Sequence, residues 1–150
     1  MHCCVVLSVA SDPVPVGTLA ELHDVSPTYL AKQMQALSRA GIVSSAQGRA
    51  GGYVLTRPPA QITVLDVVEA VDGPESPYTC TEIRQRGPLA APPEACRSVC
   101  AIHQAMITAD HAWRESLNSV TIADLASSTR RNYEMDVMGA VAGWLAERSA

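Results

Sequence analysis

The sequence predicts a mainly α-helical protein of the α+β class, on three observations. Between Thr18 and Ala40, apolar residues recur at helical spacing on both sides of a short turn. A glycine-rich stretch flanked by β-forming residues follows directly. Farther along, a second helical pattern runs from about 94 to 119. Two helices, a tight turn and a hairpin in this order predict a winged helix-turn-helix domain, followed by a long C-terminal dimerisation helix.

The first apolar segment runs from His2 to Ala10 and reads as the back half of a helix, because no capping residue precedes it. Cys3 and Cys4 lie on this segment and are predicted to be core residues. The first helix of the helix-turn-helix is predicted to open at Thr18, where Thr18 and Glu21 have the spacing of a capping box.

The second helix begins with a serine cap and a proline at the first helical position, Ser26 and Pro27, and is predicted to end near Ala40 before Gly41. Leucine and methionine recur at i, i+4 and i+7, which predicts a buried stripe of Leu30, Met34 and Leu37. Polar side chains remain on the other faces, where they could bond phosphates and base edges. We therefore predict that this helix binds DNA through Ser26, Thr28, Tyr29, Lys32, Gln33 and Arg39.

The hairpin adds a basic tip. Arg49 stands among glycines that permit positive φ and close approach to another surface. We predict that the wing contacts DNA through Gly48, Arg49 and Gly51. Two alternatives stay open at this point: Tyr29 could be a core residue, and Arg57 could be a surface cation beside Pro58.

The net charge of -4 is unevenly distributed. The segment from Val25 to Leu65 holds Lys32, Arg39, Arg49 and Arg57 and no acid, so it carries +4 while the remainder carries -8. A local surplus of cations is what a phosphate-facing surface needs, because neutralised phosphates release counterions. The alternative is a solvated face that happens to lack acids.

A further capped helix is predicted from Thr63 to about Gly73, with Val64, Leu65, Val68 and Val71 as its apolar face. A loop rich in proline and glycine follows and contains Cys80. From Glu94 to Ser119 a long helix is predicted, with an apolar stripe of Val99, Ile102, Met106, Ala109, Trp113 and Leu117. So small a head domain cannot bury that stripe alone, which predicts a homodimer.

Another cap at Thr121 predicts a short helix, followed by a polar linker over 127–132 and a weakly amphipathic tail. The predicted organisation is a DNA-binding domain over 1–73, a cysteine-containing loop over 74–93, the dimerisation helix and short following helix over 94–127, and a linker and tail over 128–150. No apolar run approaches the roughly 20 residues that span a membrane. No basic signal-peptide region precedes Leu7, so the cytoplasm is predicted, with the five cysteines reduced.

With these residues in view, the chain resembles the Rrf-type family of bacterial winged-helix transcriptional regulators, many of which are dimers that carry an iron-sulfur cluster. The resemblance extends to about Ser127. Its specific motifs lie at 26–30, 49–59, 62–73 and 121–125. It implies binding to double-stranded operator DNA, most often as a repressor.

The better-known cluster-binding members place three cysteines close together, whereas Cys80, Cys96 and Cys100 are separated here by 15 and 3 residues. This spacing resembles a subgroup whose 2Fe-2S cluster is held by a loop cysteine, a helix cysteine, and a histidine and an acid from the partner's first helix. The resemblance thus implies Cys80, Cys100 and His2 of the partner subunit as ligands. The acid would lie upstream of His2, where this sequence has no residue to match it. In the family the first helix begins about ten residues earlier, so we expect that this chain is truncated or wrongly started.

Cys96 and His103 are less certain ligands, expected to share the helical face of Cys100 at i-4 and i+3. On spacing alone, Cys96 and Cys100 could equally be small buried hydrophobic residues. Three functions other than a cluster-binding regulator are compatible with the sequence. They are a cluster-free regulator that senses through thiols or a small ligand, a thiol enzyme using Cys96 or Cys100 with His103, and a protein-interaction module without DNA. The enzyme is disfavoured because no Cys-x-x-Cys pair is present and no local acid orients His103.

Overall fold

The computed structural model describes residues 1–46 and 51–149. Among them, helices surround a two-stranded antiparallel sheet, as the predicted fold class requires. The helices are α1 His2–Leu7, α2 Val16–Leu22, α3 Pro27–Arg39, α4 Val64–Asp72, α5 Ala101–Asn118, α6 Ile122–Asn132 and α7 Val137–Ser149, and the strands are β1 Val43–Ala46 and β2 Gly52–Leu55.

Helix α3 forms as predicted. The Ser26 hydroxyl accepts the backbone N–H of Tyr29 at 3.5 Å, and Pro27 occupies the first helical position. The predicted stripe of Leu30, Met34 and Leu37 is buried against the core. Gly41 follows with φ of 69°, a left-handed conformation that glycine adopts without a steric penalty.

Helix α2 begins two residues before the predicted start. Its N-cap is Pro15, and Thr18 lies inside the helix, so the predicted capping box of Thr18 and Glu21 is wrong. The reason lies in Val14, which exchanges two backbone hydrogen bonds with Tyr53 of β2, at 3.1 and 2.8 Å. This pairing fixes an extended chain up to Pro15, and the helix begins immediately afterwards.

The wing strands pair with Val43 opposite Leu55 and Ala46 opposite Gly52. At the base of the wing, the Thr56 hydroxyl donates to the Gly41 carbonyl at 2.5 Å. Gly48 and Arg49, two of the predicted wing contacts, lie outside the described residues, while Gly51 is half-buried just before β2.

Helix α4 has the predicted cap. Thr63 and Asp66 satisfy each other's backbone donors in a capping box, with N···O distances of 2.9 and 3.0 Å. Its predicted apolar face is wrong in part: Val67 is the buried residue, and Val71 is 40% exposed. Helix α4 packs against α3, so Val67 and the half-buried Ala70 face the core.

The long helix is shorter than predicted. Residues 94–100 do not belong to α5: Pro93–Cys96 is a 3-10 turn, and the α-helix starts at Ala101. Two prolines at 92 and 93 favour the tight turn, and Cys100 then serves as the cap of α5. Its carbonyl accepts the Gln104 N–H at 2.9 Å. Cys96 therefore does not share a helical face with Cys100 and His103, contrary to the sequence expectation.

The C-terminal region is more ordered than predicted. The Thr121 cap is confirmed, but α6 continues to Asn132, so the predicted linker over 127–132 is helical. The tail forms α7, which buries Met138 and Leu145. The Arg148 guanidinium lies 2.9 Å from the Glu21 carboxylate of α2 and 3.7 Å from the centre of the Trp144 ring. The tail thus packs against the N-terminal helices and is part of the same core.

The described chain forms two compact units. Unit 1 comprises 1–73 and 117–150, and unit 2 comprises 74–116. In unit 1, backbone hydrogen bonds at 2.8 and 2.9 Å join Val64 to Val120 and Ile122 to Ile62, so the starts of α4 and α6 are paired. The largest fully buried side chains belong to unit 1 and include Leu19, Met34, Ile42, Ile62, Val67 and Ile122.

Candidate functional site

The first candidate site is the outer face of α3. Ser26, Thr28, Tyr29, Lys32 and Arg39 are exposed, and Gln33 is half-buried. Tyr29 is 58% exposed, which excludes the alternative that it is a core residue. Thr28, Lys32 and Arg39 lie opposite the buried stripe, so this face combines hydroxyl groups and cations that can bond DNA.

Arg57 has a structural role that the sequence did not reveal. Its guanidinium lies 3.0 Å from the Asp66 carboxylate and donates to the carbonyls of Gln61 and Gly41 at 3.0 and 3.3 Å. It therefore connects the base of the wing to the cap of α4. Asp66 neutralises the charge of Arg57. Of the +4 carried by the segment from Val25 to Leu65, a charge of +3 therefore remains to face DNA phosphates.

The second candidate site is an open depression of about 580 Å³ in unit 2. Cys80, Cys96, Cys100 and His103 all line it. Three separate segments contribute these residues: the loop after α4, the 3-10 turn, and the start of α5. The fold thus brings together the predicted cysteine ligands and the two less certain ones. His2, the remaining predicted ligand, lies in unit 1.

Arg84 holds the depression in shape. It forms a two-pronged pair with the Glu82 carboxylate, at 2.6 and 2.9 Å, and donates twice to the Ser98 carbonyl at 3.1 Å. It therefore joins the segment that carries Cys80 to the segment between Cys96 and Cys100. Such bidentate contacts fix orientation as well as charge, and hydrogen bonds from Arg84 lower the pKa of Glu82. Neither Glu82 nor Arg84 was singled out from the sequence.

The surroundings of Cys100 lower the pKa of its thiol. The backbone N–H groups of His103 and Ile102 hydrogen-bond its sulfur and lower its pKa, and Arg84 adds to the effect. Thiolates at helix N-termini are stabilised in this way. By contrast, burial raises the pKa of the Cys4 thiol to about 11. Cys3 and Cys4 are buried in the core, as predicted.

These pKa shifts predict an order of alkylation. The thiolate is the reactive form, so a lowered pKa makes Cys100 reactive at a lower pH than an ordinary cysteine with a pKa of about 8.5. We expect iodoacetamide at pH 7 to modify Cys100 early and Cys4 last in the reduced protein, as measured by peptide mass spectrometry. The pH profile of Cys100 should have its midpoint below that of free cysteine measured under the same conditions, and a midpoint at or above that of free cysteine would contradict the assignment.

The donor chemistry of the depression fits an iron-sulfur cluster. Thiolates and imidazole are its usual protein ligands. His103 Nδ1 is shielded from solvent and lacks a hydrogen-bond partner in the described part of the chain, so its lone pair or proton is unsatisfied. Across residues 1–46 and 51–149, no three His, Cys, Asp or Glu side chains converge on one metal position. A two-iron cluster divides its ligands between two metals, so it does not require such convergence.

His2 lies on α1, with its ring 5.8 Å from that of His23. Both rings belong to unit 1, whereas the depression that contains Cys80, Cys96 and Cys100 is lined by residues of unit 2.

Within the described ranges, no helix combines the length and apolar character needed to cross a bilayer.

Comparisons with known proteins identify the family and the fold. The Rrf2 family, described as an iron-dependent transcriptional regulator, matches residues 1–128. The protein aau3 of Rhizobium meliloti (strain 1021) is 34% identical over 113 residues, covering 75% of this chain and 70% of aau3. The HTH-type transcriptional regulator CymR of Bacillus subtilis (strain 168) is 32% identical over 117 residues, covering 78% of this chain and 75% of CymR.

A solved structure of CymR, named there as the global cysteine regulator of B. subtilis, superposes with a TM-score of 0.63. It is 29% identical and covers 84% of this chain and 88% of that chain.

Proposed function

This chain belongs to the Rrf2 family of DNA-binding transcriptional regulators, and from that membership we propose that it acts in the cytoplasm as a homodimeric repressor whose DNA affinity responds to a bound 2Fe-2S cluster. Its relatives are named as regulators, and it is likewise a regulator and not an enzyme. The observation that carries the proposal is that one chain has both an exposed polar face on α3 and a depression lined by three cysteines.

DNA binding is assigned to α3 and the wing. Lys32 and Arg39 project from the exposed face of α3, and Thr28 and Tyr29 stand near its N-terminus, where recognition helices meet base edges. Ser26 caps that terminus, and Gln33 flanks the same face. In the wing, Arg49 between Gly48 and Gly51 remains the predicted phosphate contact.

Substitution of Lys32 or Arg49 with alanine should weaken binding to every DNA sequence, because a phosphate contact contributes position and not base readout. Each variant should also reduce the slope of log affinity against log salt by about one. The measurement is fluorescence anisotropy at several salt concentrations, with an operator selected from random-sequence DNA by the unmodified protein.

Arg130→Ala is the matched control, since Arg130 is an exposed cation of α6 outside the proposed DNA face. It should leave both the affinity and the salt slope unchanged. An unchanged slope in Lys32→Ala and Arg49→Ala alike would remove α3 and the wing from the DNA interface.

For the cluster, we assign Cys80 and Cys100 as ligands from one chain and His2 of the partner subunit as a third, with Cys96 and His103 as candidates for the fourth. The cluster, when bound, would supply a centre whose charge changes with its oxidation state. The chain's own contribution is to hold the ligands: Arg84 fixes the loop of Cys80 against Ser98, and the backbone of α5 stabilises the Cys100 thiolate. Any change at Cys100 therefore acts on the first turn of α5.

Anaerobic purification followed by iron and sulfide analysis and a visible spectrum tests this assignment. We expect about two irons and two sulfides per site, and loss of the visible absorption in Cys80→Ala and in Cys100→Ala. Cys4→Ala is the control, because Cys4 is a buried core residue of unit 1. His2→Ala, Cys96→Ala and His103→Ala then show which of the other candidates are ligands.

The alternative is a cluster-free regulator that senses through cysteine thiols. It is favoured by the lowered pKa of the Cys100 thiol at the start of α5 and by the similarity of the chain to CymR, whose solved structure is named for cysteine regulation. A protein that stays colourless after anaerobic incubation with iron and sulfide, yet changes its DNA affinity on thiol oxidation, would establish this alternative.

A further inference from the structure

Unit 1 contains a cavity of about 630 Å³ whose lining includes no residue of α3 and no cysteine, although His2, the proposed cluster ligand, is part of it. Its walls come from α1, α2, α6 and α7. The volume is within the range of about 300–1,000 Å³ that is typical of small-molecule sites. The structure therefore contains a concave site large enough for an organic molecule, next to the helix-turn-helix.

The lining of this cavity is mainly apolar and carries no Asp, Glu, Lys or Arg side chain. Aliphatic side chains cover most of the wall, including Val5, Leu22, Leu125, Val137 and Val141. Its titratable groups are the His2 and His23 imidazoles and the amino group of Met1, which acts on His23. A cation would lose its hydration there without an opposing charge to compensate, which is costly. The lining thus selects against cations, and its aliphatic wall favours a neutral molecule.

Polar groups are concentrated at the end of α6. The Thr129 hydroxyl already donates to the Leu125 carbonyl at 2.9 Å, and the Ser128 hydroxyl accepts from Arg131 at 3.0 Å. The side chains of Asn132 and Tyr133 also line the cavity, and they make no hydrogen bond within the described residues. An amide and a phenol hydroxyl remain available to a ligand that carries a hydroxyl, carbonyl or amide group.

We propose that this cavity binds a small, neutral, mainly apolar organic molecule with one or two hydrogen-bonding groups, which Asn132 and Tyr133 recognise. The positions of two walls of the cavity bear on what a bound molecule could do. The wall formed by α7 lies beyond the family match, which ends at 128, so the site depends on residues outside that match. The opposite wall includes Leu22 and His23, which lead into the turn before α3. A bound molecule would contact the helix-turn-helix directly.

The test uses the full chain and the neutral fluorophore N-phenyl-1-naphthylamine, whose emission rises in apolar surroundings. We expect saturable binding with one probe per chain. Val141→Trp fills the cavity from α7 and should weaken binding at least tenfold, and Val137→Phe should act in the same direction from the start of that helix. Asn132→Ala should reduce affinity less, because it removes a single polar contact.

Ala140→Trp is the matched control, since Ala140 is the exposed neighbour of Val141 on α7. It should bind the probe with unchanged affinity, and circular dichroism establishes that each variant is folded. Binding that does not saturate in the unmodified chain would overturn the proposal. So would full retention of binding in folded Val141→Trp or, where that variant does not fold, in Val137→Phe.

Discussion

Replacing Ile102 and Met106 together with glutamate is expected to convert the protein from a dimer to a monomer and to weaken operator binding by roughly 10²- to 10⁴-fold. The expected factor is the gain in affinity that two linked binding modules usually have over a single module. Sedimentation equilibrium at micromolar concentration measures the first effect, and fluorescence anisotropy with the selected operator measures the second.

The physical reason is the exposure of α5. Val99 just before this helix is 61% exposed, and along it Ile102, Met106 and Trp113 are 66%, 40% and 45% exposed. Helical stability in proteins comes mainly from packing of an apolar face, yet no residue of this 18-residue helix is buried. Large apolar patches on a protein surface mark interaction sites. A second copy of the same helix would cover this one.

The matched control is Gln104→Glu with Thr108→Glu. It introduces the same charge at the same spacing on the opposite face of α5, so it should leave the dimer and its DNA affinity intact. An unmodified protein that sediments as a monomer would refute the proposed dimer. A double variant at Ile102 and Met106 that remains dimeric would show that another surface joins the subunits.

The second large effect is expected for Gly52→Ala, which should lower the free energy of unfolding by about 3 kcal/mol, at the upper end of the usual cost of overpacking. A Cβ atom at this position would lie 2.6 Å from the Val14 carbonyl oxygen and 2.7 Å from the Pro15 nitrogen. Both are backbone atoms that the pairing of Val14 with Tyr53 holds in place. Urea unfolding followed by circular dichroism measures the loss.

Gly17→Ala serves as its control, because nothing lies within 4 Å of a Cβ atom at Gly17. Alanine inside α2 should stabilise the helix by about 0.5–1 kcal/mol. If Gly52→Ala unfolded at the same urea concentration as the unmodified protein, the close approach of Val14 to β2 would not exist in solution.

Sequence reasoning succeeded where structure is determined locally. The caps at Ser26, Thr63 and Thr121 depend on residues three or fewer positions apart, and all three are confirmed. The buried stripe of α3 likewise follows from a single helical period. The resemblance to the family is visible in the sequence because each of its motifs, at 26–30, 49–59, 62–73 and 121–125, is a short continuous segment.

It failed where distant segments decide the outcome. The start of α2 is set by the pairing of Val14 with Tyr53, and Arg57 joins the base of the wing to Asp66 at the start of α4. Neither contact has a local signal. Gly52 is required because the backbone of Val14 and Pro15 approaches it closely, and this contact lies far from it in the sequence. The tail was not placed because its few core contacts, such as Met138 and Leu145, lack a strong helical period.

At the cysteine site, the sequence identified the residue types but not how they are held. Cys80, Cys96, Cys100 and His103 were all candidates, and they line one depression. The clasp of Arg84 on Glu82 and Ser98 connects segments up to 14 residues apart through an irregular loop, where no periodicity guides prediction. Assignment of the ligands therefore depends on experiment.

The pairing of the α4 and α6 starts has a consequence for how such a protein can change over time. Ile62 and Val64 bond to Ile122 and Val120, so unit 1 closes on itself across the whole of 74–116. That segment behaves as an insertion into a finished domain. Its length and its cysteine spacing can therefore change without altering the register in which the starts of α4 and α6 are paired.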